Sequence, residues 1–188
     1  MKTLAIAAFA ATFIGSFACF ASAEETPHAG YRETGVSRDW VGIFSPDRGI
    51  GQATASCAIY SRPTEAGIFV SENPVDAMRG ELAAFVAWNE SGVSDVGGEI
   101  SFMVGTPVIE GLDAEHVLTI NGDVRFDLVG VGDRLYVAPK DDAAAIAALR
   151  RGVQMVVSAK SRDGGVVKDI YSLMGIQSMT DIQKAECV

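Results

Sequence analysis

Apolar and polar positions alternate in short runs along most of this chain, and turn residues break the runs before they reach helical length. Trp40-Val-Gly-Ile-Phe44 has the pattern of a strand closed by Ser45-Pro46-Asp47. Residues 48–52 form a polar, Gly-containing loop. Residues 53–60 give a second strand, which carries Cys57 and is stopped by Arg62-Pro63. Residues 68–71 are short and extended, and Asn73-Pro74 marks a turn. Residues 81–88 mix alanines with Phe85 and Val86, and the aromatic and β-branched residues favour a strand. In residues 99–104, Ile100, Phe102 and Val104 fall on one face. Residues 116–120 and 123–128 flank Asn121-Gly122, a hairpin signal because both residues tolerate positive φ. Residues 134–137, 153–159 and 166–173 are further strands.

Two segments follow a helical pattern instead. Asp141-Asp142 precedes the alanine-rich residues 143–151, which end in Arg150-Arg151 before Gly152. That order puts acid at the positive end of a helix, base at the negative end, and a residue able to turn left-handed after it. Ile146 and Leu149 supply its buried stripe. Near the C-terminus, Ile176, Met179 and Ile182 recur every three residues and predict a short helix ending near Cys187. About nine short strands with one or two short helices give a mostly β, single-domain fold, either a β-sandwich or a partly open barrel.

The first 23 residues stand apart. Met1-Lys2, an apolar stretch from Leu4 to Ile14, and Ala21-Ser22-Ala23 ahead of Glu24-Glu25 make up a secretory signal peptide cleaved after Ala23. An uncleaved anchor is the competing reading, and the apolar stretch is short for a span of about 20 residues. A lipoprotein site at Cys19 lacks its usual preceding residues. Residues 24–38 show no apolar periodicity and are expected to be a flexible leader, with the β-rich domain in residues 39–188. The expected location is periplasmic or extracellular, with no membrane span after cleavage.

Cleavage of 23 of the 188 residues leaves 165 and moves the formal charge from −9 to −10 by removing Lys2. A chain this acidic is a poor ligand for nucleic acid or anionic lipid. Cleavage also removes Cys19, so the three cysteines become two, Cys57 and Cys187. An even number in an exported chain points to a Cys57–Cys187 disulfide, with two free buried thiols as the alternative.

Candidate chemistry is sparse. Gly130-Val131-Gly132 begins like a phosphate-binding loop, but Leu135 occupies the third glycine position, and a hairpin turn explains it better. No G-x-S-x-G, S-x-x-K or H-E-x-x-H motif occurs. His28 falls in the leader, and His116 is read as a surface or hairpin residue. Asn121, Asp123 and Asp127 suggest a cation site, but the two aspartates lie roughly 13 Å apart at ~3.3 Å per residue, so solvated side chains are preferred. Asp141-Asp142 is read as helix N-terminal charge, and Trp40 and Trp88 as core packing. No catalytic, cofactor-binding or metal residue is assigned.

Several stretches are similar to a known family. They are Asp39-Trp40, the cysteine strand at Cys57, Gly98-Glu-Ile-Ser-Phe-Met-Val-Gly-Thr-Pro107, and the helix and strand of residues 144–157 with Ala-Leu-Arg-Arg-Gly152. The most specific is Lys168-Asp-Ile-Tyr-Ser-Leu-Met-Gly-Ile176. Across about residues 39–187 the chain resembles the invasion-associated locus B family of exported bacterial proteins. The resemblance implies a β-rich extracytoplasmic domain, association with invasion or surface functions in some members, and no established catalytic residues. The resulting expectation is protein binding without catalysis, to an unknown partner in the envelope or on a host surface. A small-ligand-binding protein or hydrolase with an unrecognised site is the alternative, and a purely structural envelope component is a third.

Overall fold

The computed structural model describes residues 32–45, 56–70, 73–75, 78–88 and 98–186. The expected signal peptide, His28, Cys187 and the expected loop at 48–52 lie outside the described residues.

The strands are β1 (Arg32–Ser37), β2 (Trp40–Ser45), β3 (Ser56–Ser61), β4 (Glu65–Val70), β5 (Asn73–Val75) and β6 (Leu82–Trp88). They continue with β7 (Glu99–Val104), β8 (Gly111–Ile120), β9 (Val124–Val131) and β10 (Arg134–Val137). Helix α1 (Asp142–Leu149) leads to β11 (Gln154–Lys160) and β12 (Val166–Ser172), and α2 (Ile176–Glu186) ends the described chain. All strand pairings are antiparallel, in the order β1-β2-β3-β6-β7-β10-β9-β8-β11-β12-β4-β5. The fold is mostly β, and the sheet is not closed into a barrel.

Alternation places one face of nearly every strand in a single core. Ile59, Val86, Ile100, Phe102, Leu118, Leu128, Leu135, Val157 and Val167 are all buried there. The sheet curls over this core, so that β12 faces β7 and the start of β2. The Phe102 and Tyr171 rings lie 6.3 Å apart, and the Trp40 indole N–H donates to the Ser172 carbonyl at 3.1 Å. Trp40 and Trp88 are both buried, as their composition predicts.

The hairpin signal at Asn121-Gly122 is realised with three turn residues, because Ile120 pairs with Val124. Asn121 and Gly122 have φ of 52° and 86°. The Asn121 side-chain oxygen accepts the Val153 N–H at 2.9 Å and ties the turn to the chain entering β11.

Some expectations are corrected. Twelve strands occur among the described residues instead of about nine. The second half of the expected flexible leader is strand β1, paired along its length with β2. It lacks an apolar period because it is an edge strand, with Val36 exposed. Asn73-Pro74 lies in the short edge strand β5, where proline is tolerated because it need not donate to the ladder. Helix α1 stops at Leu149, and Gly152 does not turn left-handed. Its lack of a side chain matters for packing, since a Cβ there would meet Leu173 at 2.5 Å and Ile120 at 2.8 Å.

Candidate functional site

The most unusual polar group inside the core is an ion pair. Asp169 points inward from β12 and is fully buried. Arg79, from the segment entering β6, reaches it with two N–H donors at 2.5 and 2.6 Å. The same guanidinium donates to the Val104 carbonyl on β7 through Nε at 2.9 Å and Nη2 at 2.6 Å. One side chain therefore bridges opposite walls of the curled sheet. Burial pushes the Asp169 carboxyl above its usual range, while Arg79 and the Gly67 N–H pull it back. The Tyr171 hydroxyl is buried nearby without a hydrogen-bond partner among the described residues. Burial, reinforced by the Asp169 charge, raises its pKa far above normal and keeps it neutral.

A shallow, open depression of about 440 Å³ lies beside this cluster, lined by Arg62, Pro63, Ala66, Glu81 and Leu82. Ala66 pairs with Asp169 and Leu82 with Val104, so the depression lies at the same end of the sheet as the ion pair. Its charged lining residues, Arg62 and Glu81, are both exposed. They do not form a nucleophile, a base and an electrophilic stabiliser held together.

His116 lies in the β8–β9 hairpin, one of the two places expected for it, but is fully buried and not at the surface. A bulge between Leu112 and Val117 turns it inward. Its Nδ1 faces the Gly111 carbonyl at 3.3 Å and its Nε2 the Lys160 carbonyl at 3.4 Å. Gly130 on the facing strand makes the space, since a Cβ there would meet the His116 ring at 2.9 Å and crowd the Ile109 carbonyl. His116 is thus a packed, internally partnered residue.

The acidic candidates separate in the same way. Asp123 and Asp127 are both exposed, at the turn and on the strand of the β8–β9 hairpin. Among the described residues, no group of three or more His, Cys, Asp or Glu side chains could hold a metal ion. Asp142 opens α1, and burial together with the nearby Glu99 raises its pKa to about 6, against the pull of the Ile100 N–H.

Cys57 is buried on the inner face of β3. Beside it, α2 is clamped to the sheet by Gln183. Its amide N–H groups donate to the Ile43 carbonyl at 2.9 Å and the Ala58 carbonyl at 2.5 Å, and its carbonyl oxygen accepts the Thr34 hydroxyl at 2.7 Å. Gly42 allows this approach, since a Cβ would crowd Thr34 and meet the Met179 methyl at 2.6 Å.

The outer face carries a different pattern. Direct cross-strand pairs connect Val36, Val41, Tyr60, Phe85, Ser101, Tyr136, Val129 and Leu112 in one row over eight strands. The row is apolar or aromatic except for Ser101, and the Tyr60 and Phe85 rings lie 6.0 Å apart. A neighbouring row adds Met103, Arg134 and Val131. Leu112 is 73% exposed and Val131 53%. Sequence reasoning located most of these strands, missing β1 and the start of β8, and left their outer faces unread, because a row across a sheet is assembled from residues far apart in the chain. The run 168–176 that carries the family resemblance turns Asp169, Tyr171 and Leu173 into the core. No family model matches the chain, and neither a curated protein nor a solved structure matches it.

Proposed function

We propose that the protein is exported, loses residues 1–23, and acts in the periplasm or at the cell surface by binding another protein without catalysis. We place it with the invasion-associated locus B type. The observation that carries the binding reading is the apolar row on the outer sheet face, with Leu112 and Val131 exposed at its β8–β9 end. A sheet face serving only as a solvated surface would alternate to polar residues at these positions. The row is exposed at Val36 and Leu112, half-buried at Val41, Tyr60, Phe85, Tyr136 and Val129, and buried at Ser101, and apolar side chains left this accessible in one patch are characteristic of an interaction site.

The Cys57–Cys187 pairing belongs to the same proposal. Gln183, one helical turn before residue 187, donates to Ala58, the neighbour of Cys57. That contact brings the end of α2 beside the cysteine strand.

Cross-linking and recovery from the native envelope test the binding reading. The parent protein should recover a discrete protein partner, and Leu112→Glu/Val131→Glu should lose it while still folding. Small-ligand binding or hydrolysis at the depression is the second reading. Profiling against ester, glycoside, phosphate and peptide substrates tests it. Turnover abolished by Arg62→Ala or Glu81→Ala in a folded protein would replace the binding reading.

A further inference from the structure

We infer that the partner on the outer face is a second copy of this chain, docked about a two-fold axis that runs along the apolar row. This inference rests on the protein-binding reading of the same face and names its occupant. Charges of opposite sign flank the row near Tyr136. On the Ser101 side of β7 the next outward residue is Glu99, and on β9 the residue beyond Val129 is Asp127. Both are exposed. On the opposite side the corresponding residue of β10 is Arg134, paired with Met103 and Val131. Glu110 also lies on that side, where it is engaged by Arg162.

Around Tyr136 the patch therefore has two carboxylates on one side, with Arg125 beyond Asp127 on β9, and the Arg134 guanidinium on the other. A rotation about the row keeps each residue's position along the row and exchanges its two sides. It brings Arg134 of one copy over Glu99 and Asp127 of the other, twice per dimer. Phe85 and Tyr136, near the axis, meet their own counterparts. A dyad lying across the row would set acid against acid, so electrostatics selects the first arrangement. The surface is its own complement, which is the requirement for an isologous interface.

Sedimentation velocity of the purified protein over a concentration series tests this. The expected result is a reversible monomer–dimer equilibrium. Arg134→Glu should raise the dimer dissociation constant by about tenfold or more. Adding Glu99→Arg and Asp127→Arg to that variant should restore it to near the parent value, because the two sides have exchanged sign. Far-UV circular dichroism checks folding, and if Arg134→Glu fails to fold, the exposed Leu112→Ser should weaken the dimer instead. A monomer at every concentration, or an Arg134→Glu protein that associates like the parent, overturns the inference. Recovery of a different protein through Leu112 by a monomeric parent also overturns it, while leaving the binding reading standing.

Discussion

At the scale of single residues, the Arg79–Asp169 pair has the largest expected energetic effect. Its two charges are buried against each other, so removing one strands the other. Arg79→Met should lower unfolding free energy by about 3–5 kcal/mol, and Asp169→Asn in the same chain should recover part of the loss. Without its counter-charge, Asp169 takes up a proton on folding, and a raised folded pKa means stability is lost as pH rises. The Arg79→Met deficit should therefore be larger at pH 8 than at pH 4 in urea unfolding. Asp142 gives a second, separable pH effect. Its folded pKa of about 6 lies above the ordinary carboxyl value of 3.8. Protonation thus supports the fold below the lower value, and the contribution disappears as pH rises through the upper one. Asp142→Asn should be nearly neutral at pH 4 and stabilise by about 1 kcal/mol at pH 8, after allowance for solvent screening. Neither effect was legible in the sequence. Arg79 and Asp169 are 90 positions apart, and a lone Asp in an alternating strand looks the same whether it faces water or a buried guanidinium.

At the scale of elements, helix α2 depends on polar groups as much as on its apolar stripe. The spacing of Ile176, Met179 and Ile182 made the helix and its buried side readable, and Ile176 and Met179 are buried. Gln183 escaped that reading because its polarity argues for solvent, yet it is fully buried and joins β2 and β3 to the helix. Gln183→Ala should cost about 1–3 kcal/mol by leaving two carbonyls and the Thr34 hydroxyl without it. Gly42→Ala should cost a similar ~1–3 kcal/mol by overpacking against Met179 and Thr34. Hydrogen exchange should show α2 amides losing protection in both variants before the β8–β9 hairpin does. The strands were legible because period-2 alternation records burial directly. Edge strands β1 and β5 were not, since pairing on one side leaves no strong apolar period. The bulge that buries His116 was hidden for a related reason: its odd number of extra residues, three between Leu112 and Val117, reverses the face of every side chain after it.

At the scale of the whole molecule, an antiparallel sheet over one core presents the apolar row on its outer face. A Cys57–Cys187 bridge would close most of the chain into a loop. The chain-entropy model gives roughly 4–5 kcal/mol for such a loop, and about 2–4 is the usual yield. Alkylation should label both thiols only after reduction, and labelling without reductant would refute the pairing. Intact mass of protein from the envelope should correspond to a chain beginning at Glu24. The overall class of the fold could be read from residue order, whereas the outer row required knowledge of the strand order. Binding through that row is the central claim, and a photo-cross-linking residue placed at position 136 tests it most directly in the native envelope. A matched control at position 168 uses Lys168, an exposed outward residue of β12. The expected result is a discrete protein adduct at position 136 and none at 168; equal labelling at both positions, or no adduct at 136, would contradict binding through the row.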